Sequence, residues 1–362
     1  MEVLFIRFSH LSVKILDSLK NEDLTKCRKV ARSWQCYLDK QKILDVRMIE
    51  TKIKKIHEVG DEWKWFFETA NTETIKDLRQ LVDRKYHGLD PKKGLGLKGM
   101  TPIHMFAWAG HFNHFKMISK KTRNINPRRN GNGLTPFHYA AGNGHLEVCN
   151  YIIENIKNKN PGNNDGYTPL HAAAKNGHLD ITELILNQVE NKNPKLKSNC
   201  LTPLHIAAFN GHFQVVEVFI KSIKNVDEKN PGNFCGFTPL HSAALKGHLN
   251  ICELILKEVE NKEPRITSDN KTPLHAAAEG GHSKVIEFLI KNVENKNPLT
   301  SDGKTPLHLA AENGHIDACK IILDYVEEKN LESTDGSTPL ILAAKKKHFE
   351  VVKLIANHLI QH

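Results

Sequence analysis

The chain has 362 residues, 40% of them hydrophobic and 25% charged, with a formal net charge of +10. That length accommodates two or three ordinary domains, and the balance is that of a soluble protein. No run of about 18 apolar residues occurs, so no membrane span is expected; Arg7 and Lys14 interrupt the apolar start of the chain, so no secretory signal is expected either.

Residues 1–45 carry closely placed apolar positions, among them Phe8, Leu11, Val13, Ile15, Leu16, Leu19, Leu24, Val30, Trp34 and Leu38. Asn21-Glu22-Asp23 breaks the run, and Asp23 is placed to cap the next helix. The pattern reads as two or three short helices folded as a hairpin. Three elements stand at fixed offsets: Ile15-Leu16-x-x-Leu19, Asp23-Leu24 and Val30-x-x-x-Trp34. In these elements the segment resembles an F-box. It departs from that family in having no Leu-Pro near Arg7-Phe8 and no second tryptophan, with Ile43 and Leu44 in that region. The resemblance implies docking on the Skp adaptor, which links an F-box protein to a cullin and a RING subunit. Ile15, Leu16, Leu19, Leu24, Val30 and Trp34 would then form the F-box helices and offer part of their apolar surface to the adaptor. The alternative reading of the segment is a helical cap with a leucine-rich core.

Residues 46–98 read as a helical linker or cap, with helices over 62–69 and 72–86. Trp63, Phe66, Phe67, Ile75, Leu78 and Leu81 are expected to pack together and onto the chain beyond residue 98. Residues 94–99 form a G-x-G-x-x-G string. That string holds phosphate only between a strand and a long helix, and here it leads into a helical hairpin, so no nucleotide is expected.

From residue 99 to 362 one motif, Thr-Pro-Leu-His or a variant, recurs eight times, at Thr101, Thr135, Thr168, Thr202, Thr238, Thr272, Thr305 and Thr338. These define repeats one to eight, stepping by 33 to 36 residues. In repeat three, Thr168 is placed as an N-cap and Pro169 at the first helical position, where a missing N–H costs nothing. Ala173 and Ala174 are small enough for neighbouring helices to approach, and Gly177 stands where a helix ends in a left-handed residue. A second helix carries Ile181, Leu184, Ile185 and Val189 on one face. Such a face is buried only when repeats stack. Period and signature together resemble the ankyrin-repeat family. The expected fold is an all-α repeat solenoid of helix-turn-helix units joined by β-hairpin loops, behind an N-terminal helical F-box-like domain.

Two departures from that family set further expectations. The second helices run into Val-Glu-Asn-Lys-Asn-Pro, as at Val189 to Pro194, which predicts a longer helix with an asparagine stop. The 36-residue step is read as about one extra helical turn between Ile223 and Val226. Terminal repeats are degenerate, with Ile341 in place of the motif His and Lys347 in place of Gly, as capping requires.

Chemistry is sparse. Seven scattered cysteines without Cys-x-x-Cys spacing suit reduced thiols in a cytoplasmic or nuclear protein. Seven repeats place a second His seven residues after the motif His, as in His171 and His178. Recurrence beside every turn assigns these to backbone hydrogen bonding and not to metal. Residues 1–200 hold 33 Lys and Arg against 21 Asp and Glu, and the densest run is Lys120, Lys121, Arg123, Arg128 and Arg129. It reads as a solvated loop, and nucleic acid is not the expected partner. No catalytic constellation occurs, so no enzyme, cofactor or metal is expected.

By resemblance, partners lie on the inner face of the stack, lined by hairpin tips and first helices. There the residues before Thr-Pro and before Gly-His place Trp108, Tyr167, Leu201, Phe209, Phe237, Leu245 and Lys246. The two resemblances together imply a monomeric, non-catalytic substrate receptor of an SCF-type ubiquitin ligase, holding a target protein by its repeats. The alternative is an ankyrin interaction scaffold without ligase association.

Overall fold

The computed structural model describes residues 100–361 apart from 130, together with 45, 46, 48, 66, 70, 74–78 and 80. Ile15, Leu16, Leu19, Leu24, Val30, Trp34 and the 94–99 string lie outside the described residues. The chain divides into two compact units, Met1–Phe106 and Ala107–His362. In the first, residues 74–78 are helical and Phe66, Ile75 and Leu78 are buried. The Phe66 ring centroid lies 6.0 Å from that of Phe106.

From Pro102 onward the described residues form sixteen α-helices and one 3-10 helix, with no strand. They occur as eight pairs, one per repeat. These are α1 (Pro102–Ala109) and α2 (Phe112–Ser119), α3 (Pro136–Gly142) and α4 (Leu146–Asn155), α5 (Pro169–Asn176) and α6 (Leu179–Leu186), and α7 (Pro203–Asn210) and α8 (Phe213–Ser222). Then come α9 (Pro239–Lys246) and α10 (Leu249–Glu258), α11 (Pro273–Gly280) and α12 (Ser283–Asn292), α13 (Pro306–Glu312) and α14 (Ile316–Tyr325), and α15 (Pro339–Lys345) and α16 (Phe349–Gln361). From α3 on, first helices pack on first helices and second helices on second helices, which makes two layers.

The helix starts arise from the motif. Thr168 is extended (φ −114°, ψ 165°) and its Oγ1 accepts the His171 N–H at 3.4 Å. In return the Thr168 N–H donates to His171 Nδ1 at 3.1 Å. This is a capping box in which imidazole takes the place of the usual Glu or Gln. Ala173 and Ala174 are fully buried, as are the matching alanine pairs of the other inner repeats, because a larger side chain there would push the first helices apart.

The second helices bury a wider stripe than the periodicity predicts. In α6 the covered positions are Ile181, Thr182, Ile185 and Leu186, whereas Leu184 is half-buried. The same four places are filled by Val148, Cys149, Ile152 and Ile153 in α4, and by Ile251, Cys252, Ile255 and Leu256 in α10. The second helices α4 to α14 each touch their own first helix and both neighbouring second helices, so adjacent positions are covered in pairs.

The longer second helix expected from Val-Glu-Asn-Lys-Asn-Pro is not found. Val259 and Val293 lie just past α10 and α12 in extended conformation (ψ 146° and 153°), and Val189 lies outside α6. The asparagines serve the next repeat instead. Asn158 Oδ1 accepts the Asn160 N–H at 3.1 Å, and Asn160 Oδ1 accepts the Leu170 N–H at 3.1 Å in the first turn of α5. Asn191 and Asn193 repeat this on the Leu204 N–H at 3.3 Å. One of the helix's four orphan donors is thereby satisfied from the preceding linker.

The extra residues before repeat five do not lengthen α8 either. They form a separate 3-10 turn, Val226–Lys229, capped by the Asn225 side chain on the Asp227 N–H. Hairpin tips are closed by one or two bonds, such as Asn163 N–H to Tyr167 O at 2.7 Å and Gly166 N–H to Asn163 O at 3.1 Å. One further bond joins each tip to the next, as Lys197 N–H to Asp165 O at 2.8 Å. These are too few to build a β-ladder, so the expected β-hairpins are turns. The last repeat presents apolar groups outward, with Phe349 71% and Ile360 83% exposed.

Candidate protein-binding face

The imidazoles tie each repeat to both of its neighbours. The motif His accepts a backbone N–H at Nδ1, so the proton sits on Nε2 and is donated forward. His138 reaches Tyr167 O at 2.8 Å and His205 reaches Phe237 O at 3.0 Å. The second His donates backward: His178 to Gly142 O at 3.1 Å and His212 to Lys175 O at 3.0 Å. Burial pushes His138, His171, His205, His241 and His275 down to about 4, so they are neutral near pH 7. Both nitrogens of these rings are committed to the backbone.

The basic run is partly structural. Arg129 is buried and its guanidinium donates to the Tyr139 hydroxyl at 2.6 Å, while Arg128 reaches Asn164 Oδ1 at 3.4 Å. Lys120, Lys121 and Arg123 are exposed. The thiols of Cys149, Cys252 and Cys319 are buried; burial raises all three, the latter two to about 12, so they are not nucleophiles near neutrality.

Of the residues placed on the inner face from sequence, Leu201, Phe209 and Phe237 line one hollow of about 340 Å³ with Ile206. Phe209 is 42% exposed, and the Lys246 ammonium lies 4.6 Å from its ring centroid. Phe237 stacks on His241 at 5.3 Å, which fixes its ring. Leu245 is half-buried and its carbonyl accepts from His282 at 3.0 Å. Tyr167 and Trp108 do not line this hollow. Tyr167 stacks against His138 and His171, at 6.2 and 5.3 Å. Trp108 is half-buried, and its carbonyl accepts from Asn143 and His145.

A second hollow, of about 510 Å³ and lined by Asp269, Lys271, Glu279, Asp302, Lys304 and Glu312 among others, was not singled out from sequence. Lys271 Nζ lies 3.0 Å from Glu279 and 3.6 Å from Asp269; Lys304 Nζ lies 3.3 Å from Glu312 and 3.6 Å from Asp302. Burial works to lower the Lys271 pKa, but the bonds from Glu279 and Asp269 outweigh it and hold it above its ordinary value. The signal was present as a lysine before Thr-Pro and a glutamate eight residues on, in two successive repeats. Phe234, on a hairpin tip and 78% exposed, was also missed.

The family described as Ankyrin repeats (3 copies) matches residues 66–163, 115–195, 156–230, 204–298, 257–333 and 293–361. The chain belongs to the ankyrin-repeat family. No curated protein matches it. Ankyrin repeats imply a protein–protein interaction scaffold, and proteins built of them generally bind rather than catalyse. No helix among the described residues of this ankyrin chain is long and apolar enough to cross a membrane.

Proposed function

We propose that this ankyrin chain is a non-catalytic receptor that holds a target protein on the inner face of its repeats, and that residues 1–45 dock a Skp adaptor. It would thereby act as the substrate-recognition subunit of an SCF-type ubiquitin ligase, in the cytoplasm or nucleus. The target site rests on one observation: the hollow that gathers Leu201, Phe209 and Phe237, with Phe209 left open to solvent. Apolar and aromatic groups converging in a pocket are what binding hot spots use. The adaptor role rests on the offsets among Ile15, Leu16, Leu19, Leu24, Val30 and Trp34. Its mechanism is proximity, since holding the target beside a ubiquitin carrier raises the effective concentration of the reacting groups.

A direct test mixes purified chain with purified Skp adaptor and monitors co-elution in gel filtration. A stable complex that Leu19→Ala with Trp34→Ala abolishes supports the ligase reading. No complex with the natural sequence leaves an ankyrin interaction scaffold without ligase association.

A further inference from the structure

The inner face changes chemistry between repeats four and five and repeats six and seven. Two positions of the repeat mark this change, the residue before Thr-Pro and the residue eight places later. In repeats four and five these are Leu201 with Phe209 and Phe237 with Leu245. In repeats six and seven they are Lys271 with Glu279 and Lys304 with Glu312, each pair bonded side chain to side chain. In repeat eight the sense reverses, with Lys345 Nζ donating to Ser337 Oγ at 3.1 Å.

The charged stretch is acidic toward solvent. Each lysine is held by two carboxylates, its own glutamate and the aspartate two residues before it. Each group of one lysine and two carboxylates therefore has one negative charge left over. The lysine side chains are also the more covered, 26% and 23% exposed, against 42% and 55% for Asp269 and Asp302. Positive charge bounds the stretch on both sides, at Lys246 over Phe209 and at Lys345.

Resting on the reading that this face seats the partner, we propose that it takes an extended segment bearing one large apolar residue and, farther along, at least two Lys or Arg residues. The apolar side chain fills the Leu201–Phe209–Phe237 hollow. The basic groups meet the outward carboxylates of Asp269, Glu279, Asp302 and Glu312, and guanidinium suits them because it engages a carboxylate by two parallel bonds. Stacked helices lie about 8–10 Å apart and an extended chain advances about 3.3 Å per residue, so two repeats correspond to a separation of about five or six residues. Phosphate-bearing or acidic segments are repelled by the same carboxylates.

The test selects binders to the full chain from a random peptide display library. Recovered peptides should share an apolar residue with Lys or Arg at that separation on either side, and their binding should weaken as salt is raised. Selection on Glu279→Gln with Glu312→Gln should keep the apolar residue and lose the basic ones. The wild-type peptides should bind that variant roughly tenfold more weakly per lost pair. Should that variant melt early, Asp269→Asn with Asp302→Asn, which keeps each side-chain acceptor, serves in its place. Peptides with an apolar residue and no basic preference would overturn the inference while leaving the site intact. Peptides that bind Phe209→Ala with Phe237→Ala undiminished would overturn the site and the inference together.

Discussion

The imidazole of His212 occupies the space into which a β-carbon on Gly177 would project: a Cβ built there lies 2.6 Å from His212 Nδ1. Gly177 is thus required twice, by its left-handed backbone (φ 75°) and by the neighbouring repeat's histidine. Lys347 holds the matching place in repeat eight at φ 64°, a left-handed backbone that a non-glycine residue adopts only under strain. Gly177→Ala should therefore cost more than the ~1–2 kcal/mol of the backbone strain alone. Lys347→Gly should instead stabilise by about 1 kcal/mol. Urea melts of the two variants check both signs.

Acid should unfold the stack in a defined window. Five motif histidines sit at about 4 in the folded chain against an ordinary 6.5, so the unfolded chain binds more protons between those values. Stability is whole above pH 6.5 and is lost as pH falls toward 4, at up to about 1.4 kcal/mol per pH unit for each imidazole. Urea midpoints taken across this range should drop steeply and cooperatively. A flat profile would show that these rings can be protonated without breaking the Thr–His caps.

The linker asparagines should differ in weight. Asn160→Ala strands the Leu170 N–H in the first turn of α5 and should cost about 1–3 kcal/mol. Asn158→Ala removes only an exposed turn bond and should cost about 0.5–1 kcal/mol. Equal losses in chemical denaturation would contradict this division of roles.

Phe209→Ala with Phe237→Ala should weaken target binding by roughly 2 kcal/mol or more if these rings form the centre of the interface. The fold should survive, because Phe209 is 42% exposed and Phe237 contributes mainly its stack on His241. Circular dichroism should still show a cooperative melt. A lost transition would make the two rings part of the core.

The repeat architecture was legible because Thr-Pro-x-His encodes a cap, a start and a tie within four residues. Less legible were features in which one repeat serves another. Asn193, in the stretch expected to stop its own helix, has an acceptor that completes the next one. Cys149, Thr182 and Cys252 fall outside a simple apolar periodicity and are buried because flanking helices cover them from both sides. On the inner face the sequence places Tyr167 with Phe209 without distinction, and only the hollow around Leu201, Phe209 and Phe237 separates them. Lys271 and Glu279 stand eight residues apart in the sequence, and only the folded repeat joins them.

The most direct test of a two-ended receptor is a quantitative pull-down from eukaryotic lysate. The full chain is compared with Leu19→Ala/Trp34→Ala and with Phe209→Ala/Phe237→Ala, each verified as folded. The first variant should lose Skp adaptor and cullin and retain the other captured proteins, and the second should do the reverse. Absence of adaptor and cullin from the wild-type capture, or loss of both sets with either variant, would contradict a two-ended receptor.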